Sequence, residues 1–176
     1  VKNKNSNRMK TTISILTLLL FMFAGTQKAK AQDKAETLDW LRNHLKTIIV
    51  HNNDSILPYT MTKTYTFYDD AFVVKTVKDF YKDRGLNSAP AFGKIWYKDI
   101  IPQKDIAFQD EHLEGTSIFT ITADPVYSII GKEEAPLKYW RHFNEPSGMD
   151  LYLPEDQALN TEIVRKVMEL QALSKE

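Results

Sequence analysis

The chain contains no cysteine among its 176 residues. That excludes thiol chemistry, disulfide cross-links and a lipid anchor on a cleavage-site Cys, so stability has to come from a packed core. Glycine is scarce, six residues in all, and the glycines are too scattered to form a phosphate-cradling loop. Acidic residues are missing from one stretch. Residues 1–31 hold no Asp or Glu but carry Lys2, Lys4, Arg8, Lys10, Lys28 and Lys30. The apparent balance of 23 basic and 23 acidic residues is therefore uneven along the chain, and the part after Ala31 has six more acidic than basic residues. Such an excess disfavours nucleic-acid binding and adsorption to anionic membranes. After Gly25 no apolar run approaches the roughly 20 residues of a membrane-spanning helix.

What is present begins with a basic end, an apolar run from Ile13 to Gly25, and small residues at Ala29 and Ala31. This order is that of a cleavable export signal. Cleavage is expected between Ala31 and Gln32, with Met9 able to start a complete signal by itself. Residues 1–31 are read as the signal peptide and residues 32–176 as one domain, exported to the periplasm or beyond the cell, soluble and not a lipoprotein. The mature form is expected to have no integral membrane segment.

Within residues 32–176 the fold class is α+β. A first helix is expected over Asp33–Val50, opened by a D-x-x-E capping pattern at Asp33 and Glu36. Leu38, Leu41, Leu45 and Ile48 make its apolar stripe, with Trp40 beside it. His51-Asn52-Asn53-Asp54 would end it. Tyr65 and Phe67 alternate with threonines, and Asp69-Asp70 reads as a turn into a second strand, Ala71–Tyr81, to form an antiparallel hairpin. A polar loop, Arg84–Pro90, leads to a strand over Phe92–Ile101. Further strands are expected at Asp105–Gln109, Ser117–Ala123, Val126–Gly131, Lys138–Phe143 and Met149–Leu153. About seven short strands with helix-free connections suggest an up-and-down antiparallel sheet, bent or closed into a partly open barrel. A last helix, Glu155–Leu173, carries Leu159, Ile163, Val167, Leu170 and Leu173, widened by Ala158, Val164 and Met168, and would cap that sheet.

Taken together, the TLDWLRNHL helix, the YTFYDDAFVV hairpin, the WYKDII and SIFTITA strands and the closing DLYLPEDQALNTEIVRKVMELQAL segment resemble small exported proteins of Bacteroidota with a pleckstrin-homology-like fold, a family of unknown function. The resemblance implies a bent antiparallel sheet closed at one end by the C-terminal helix, with an extra N-terminal helix. It brings no catalytic residues with it. Lys63, Lys75 and Lys78 lie in the first hairpin, but Asp69 and Asp70 occupy the turn where a phosphate would sit, so headgroup binding does not follow from the fold.

Signatures of chemistry are sparse. His44, His51, His112 and His142 fit no metal-binding spacing. A His44/His51/Asp54 site would need one continuous helix, and helix-face polar residues account for these side chains more simply. Asp110-Glu111-His112, before Glu114-Gly115, reads as a solvated turn rather than a Ca²⁺ or acid–base site. No nucleophile elbow is present, and no motif calls for a cofactor. The stretch Tyr139-Trp140-Arg141-His142-Phe143 stands out. In a strand, Trp140 and His142 would share one face and could form a binding surface. The leading expectation is an exported binding or protein-interaction module for a protein or small-molecule partner. Its rivals are a barrel holding a small apolar ligand and a small enzyme with dispersed acid–base residues.

Overall fold

In the computed structural model, residues 30–52, 58–80, 89–103, 105–109, 116–142 and 145–175 are described. The signal-like segment up to Ala29, Asn53-Asp54, Tyr81, most of the 84–90 loop, Asp110-Glu111-His112, Glu114-Gly115 and Phe143 lie outside them. The chain divides into two units at Glu36/Thr37. In the first, residues 30–36 are helical, and Gln32 donates to the Glu36 carboxylate one turn on at 3.0 Å. Ala31, Gln32 and Asp33 are thus inside helical residues, and the Asp33/Glu36 pattern does not start a helix.

The second unit opens with helical residues 37–44, here α1. Leu38, Leu41 and Leu45 are buried as the spacing predicts. The expected continuation to Val50 is wrong, because Thr47–Asn52 is a strand, β1. Thr47, Ile48, Ile49 and Val50 are all β-branched, which restricts χ1 in a helix and suits a pleated sheet. His44 and His51 therefore sit on different elements, not on one helix face.

β1 pairs antiparallel with β2 (Tyr59–Phe67), and β2 with β3 (Ala71–Phe80), with Phe67 opposite Phe72. The expected hairpin is present with its turn at Asp69-Asp70. Arg42 fastens α1 to that turn, donating to the Phe67 carbonyl at 3.0 Å and reaching Asp69 at 3.6 Å. β4 covers only Ala91–Trp96. The chain then tightens into a 3₁₀ turn at Tyr97–Asp99 instead of extending to Ile101. The reason is packing: Tyr97 is fully buried, and its hydroxyl donates to the Tyr68 carbonyl at 3.2 Å. Asp105–Gln109 supplies one bridge, Gln109 to Ile118, and no strand.

β5 (Thr116–Ala123), β6 (Tyr127–Ile130), β7 (Arg141–His142) and β8 (Ser147–Pro154) complete eight strands among the described residues. Their order corrects the up-and-down expectation. One sheet runs β1-β2-β3-β4-β6-β7, while β5 leaves it to pair with β8 alone. β4 takes β6 as its second neighbour. β5 has β8 on one edge and Ile100, Ile101 and Gln109 along the other, through Ile101 to Thr122, Ile100 to Ala123 and Gln109 to Ile118. Neither sheet closes into a barrel.

The main core lies between the inward faces of these strands, α1 and α2 (Gln157–Ser174). Asp156 caps α2 by accepting from the Leu159 amide at 3.0 Å. Ile163, Val164, Val167 and Leu170 are buried at 0% exposure, roughly 1.5–3 kcal/mol of transfer free energy each. Ala158, expected in this stripe, is exposed, and Asn160 is buried instead, its amide donating to the Pro154 carbonyl at 2.7 Å. Among the described residues no helix is long and apolar enough to cross a membrane.

Candidate functional site

Strand alternation gives the six-stranded sheet a second apolar face. Phe72, Val74 and Ile95 point into the main core, so Val73 and Phe92 point the other way, joined by Tyr127 and Ile129. After β6 the chain reverses at Gly131, whose φ of 114° lies in the region that favours glycine. Its amide donates to the Pro90 carbonyl at 2.9 Å. A short 3₁₀ turn, Leu137–Tyr139, then delivers Trp140 onto this face.

Trp140 is only 7% exposed; it packs on Val73 and Phe92, and its indole N–H donates to the Ala135 carbonyl at 3.0 Å. The strand expected over Lys138–Phe143 is just Arg141–His142. Trp140 precedes it, because the 3₁₀ turn and the Ala135 bond take its backbone and ring out of the sheet line. Trp140 thus lies outside the strand but on the same outer face as His142, both beside Tyr127, and its burial makes it packing rather than exposed surface. His142 is exposed and stacks on Tyr127 with ring centroids 5.6 Å apart.

Two grooves flank this plug. One, of about 450 Å³, is lined by Ala91, Phe92, Ser128, Ile129, Ile130, Tyr139 and Arg141. Its rim carries much of the exposed apolar surface at this end: Ile130 is 74% and Tyr139 63% exposed. Among the described residues, the Arg141 guanidinium makes no hydrogen bond or ion pair. The second groove, of about 380 Å³, is lined by Trp140 itself with Tyr68, Asp70, Val73, Lys94, Glu133 and Glu134. Here the Tyr68 hydroxyl donates to the Glu133 carboxylate at 2.7 Å, and that bond pushes its phenol up to about 12. Lys94 lies 4.5 Å over the Trp96 ring. Both grooves are of a size that small ligands or single side chains occupy. Neither lies between the sheet and α2, where an apolar ligand of the barrel reading would sit.

The other sequence candidates are dispersed. His44 stacks on Trp40 at 4.1 Å, and its Nδ1 donates to the Trp40 carbonyl at 2.8 Å. His51 lies beside the Thr60 hydroxyl at 3.3 Å. Among the described residues no three His, Asp or Glu side chains come together to hold a metal. Lys63 and Lys78 of the first hairpin lie over the rings of Tyr152 and Tyr59. Burial raises the carboxyl pKa of Asp99 above its ordinary value, but Asp99 lines neither groove. Sequence reasoning missed Phe92, Ile130 and Arg141 as a group. The available signal was the pair Ile129-Ile130 before Gly131, an apolar run ending at a reversal. No family model, curated protein or solved structure matches the chain.

Proposed function

We propose that this is an exported, non-enzymatic binding module with a pleckstrin-homology-like fold, akin to the small Bacteroidota proteins it resembles. It is released after Ala31 by signal cleavage, and it uses the groove beside β6 to hold an apolar group of a protein or small-molecule partner. One observation carries the reading. A groove of about 450 Å³ with apolar walls stays open beside Ile130 and Tyr139, while a buried tryptophan fills the neighbouring surface. An exposed apolar rim around a pre-formed concavity is the usual form of a recognition site. Lipid-headgroup recognition is not part of the proposal, since Lys63 and Lys78 lie against aromatic rings and Asp69 and Asp70 hold the hairpin turn.

The test is binding of the apolar anionic dye anilinonaphthalene sulfonate to the purified protein and to an Ile130→Glu variant. Ile130 is mostly exposed, so the variant keeps its fold, which a thermal melt verifies. The proposal expects dye fluorescence that falls sharply in Ile130→Glu. Equal fluorescence in both proteins overturns it. Mass spectrometry of the protein from its native cell should find an N-terminus at Gln32; a product that retains Ile13–Gly25 overturns the export reading.

A further inference from the structure

Resting on that proposal, we infer that the groove takes the C-terminal residue of a partner polypeptide, with its apolar side chain beside Ala91 and Ile130 and its carboxylate on Arg141. The bond from the Gly131 amide to the Pro90 carbonyl sets the register of β6 on β4. In an antiparallel pair, bonded residues alternate with residues whose N–H and C=O point away. Ile129 and Tyr127 therefore bond to β4, while Ser128 and Ile130 turn their amides and carbonyls towards β7.

β7 meets only the first of these. Ser128 stands opposite Arg141 and Tyr127 opposite His142, where the pairing ends. Tyr139, which a longer β7 would set opposite Ile130, is in the 3₁₀ turn with its amide on the Pro136 carbonyl at 2.9 Å. Ile130 thus presents one donor and one acceptor at a strand edge, at the mouth of an apolar groove. A peptide continuing the line of β7 supplies the complementary pair, which is recognition by strand addition.

Polarity decides which end of the peptide lies there. A segment in line with β7 and antiparallel to β6 runs towards Arg141, so its carboxyl end arrives beside that side chain. Arg141 is the only charged residue of this lining, and it has no protein partner among the described residues. A guanidinium holds a carboxylate with two parallel bonds, and a terminal carboxylate is the anion that this direction of approach delivers. A simple aliphatic acid would satisfy Arg141 but not the Ile130 pair.

The test uses the protein as the cell processes it. One dye-labelled probe is a short peptide of alternating threonine and valine ending in a leucine free acid; the other is its C-terminal amide. Fluorescence anisotropy should show the amide binding about tenfold or more weakly, the loss of one charge-assisted contact. In Arg141→Ala that difference should vanish, with the melting temperature unchanged. Acid and amide of equal affinity, or an acid-to-amide gap that persists in Arg141→Ala, overturns the inference. Decanoate displacing the anilinonaphthalene dye while neither peptide binds overturns the peptide end and leaves the groove as a binding site. Absence of peptide binding together with dye binding indifferent to Ile130→Glu removes both readings.

Discussion

Replacing Tyr65 by Phe tests the join between the two sheets. Tyr65 projects from β2 into the main core and is 5% exposed. Its hydroxyl donates to the Tyr152 carbonyl at 2.9 Å and accepts from the Tyr152 amide at 2.8 Å. On the other strand of that small sheet, Ile118 exchanges both of its backbone bonds with Gln109 instead of β8. Ile118 and Tyr152 face each other as a non-bonded pair, so the outer groups of Tyr152 have one side-chain hydroxyl where a further strand would be. Tyr65→Phe keeps the ring and opens no cavity. It leaves one donor and one acceptor on half-buried backbone. Each unsatisfied group costs about 1–3 kcal/mol when fully buried, and partial access to water places the sum near 2 kcal/mol. Urea unfolding followed by circular dichroism should show that loss with an unchanged slope, and the melting temperature should fall by about 6–10 °C. Tyr59→Phe is the control: Tyr59 is half-buried at a strand end and accepts one 3.3 Å bond from Asn52. A Tyr65→Phe loss no larger than the Tyr59→Phe loss would refute the reasoning.

Trp140→Ala should cost about 3 kcal/mol in the same assay, because the ring is buried on Val73 and Phe92; a loss below about 1 kcal/mol would return Trp140 to the surface. Gly148→Ala would place a methyl 2.5 Å from the Thr120 Cγ2, an overpacking cost of about 1–3 kcal/mol. Thr120→Ser removes that methyl and keeps the hydroxyl on Asp150, so the double variant should recover most of the loss, and additive losses would refute the clash. Tyr68 titrates late, at about 12 against an ordinary 10.0, because its hydroxyl donates to Glu133. The neutral phenol is the favoured form in the fold, so this contact contributes fully below pH 10.0 and is lost as pH rises through about 12. Burial also raises Tyr65 and Tyr97, so tyrosinate absorbance should show several late groups, of which one moves earlier in Glu133→Gln; an unchanged titration would rule the contact out.

The first hairpin, β5, β8 and α2 were legible because each carries its own period: Tyr65 and Phe67 at spacing two, Ile163, Val167 and Leu170 at helical spacing. Thr47–Val50 misled because Ile48 falls one turn beyond Leu45 and so continues the helical stripe by position. The β-branched run outweighs that position, and Ile48 reaches the same core from a strand. Tyr97 and Trp140 misled in the opposite sense. Each sits in an aromatic run suited to a strand, but burying a large ring with a satisfied polar tip bends the chain into a 3₁₀ turn. Pairing of β5 with β8 has no local signature, since nothing in SIFTITA distinguishes a partner in β4 from one in β8. The groove is illegible for the same reason. Phe92, Ile130 and Arg141 come from three segments, and only the register of β4 on β6 and the early end of β7 bring them together.

The treatment of strand edges sets β6 apart from the other strands. Exposed edges invite pairing, and folded chains cover or blunt them. In the small sheet the β8 edge is closed at Tyr152 by the Tyr65 hydroxyl, and the β5 edge by Ile101, Gln109 and Gln103, the last donating to the Thr120 carbonyl at 2.9 Å. In the large sheet, β1 forms one end; its Ile49 is 55% exposed, but neither groove adjoins it. At the other end β7 covers β6 for two residues and then turns away to deliver Trp140. That departure does two things at once. It plugs the outer face with an indole, and it leaves the Ile130 amide and carbonyl uncovered beside an apolar groove and an arginine. A longer β7 would close the edge but undo the 3₁₀ turn that brings the Ala135 carbonyl to the Trp140 indole. The short strand is thus tied to the stability of the outer face, and an open edge at Ile130 follows from how that face is packed.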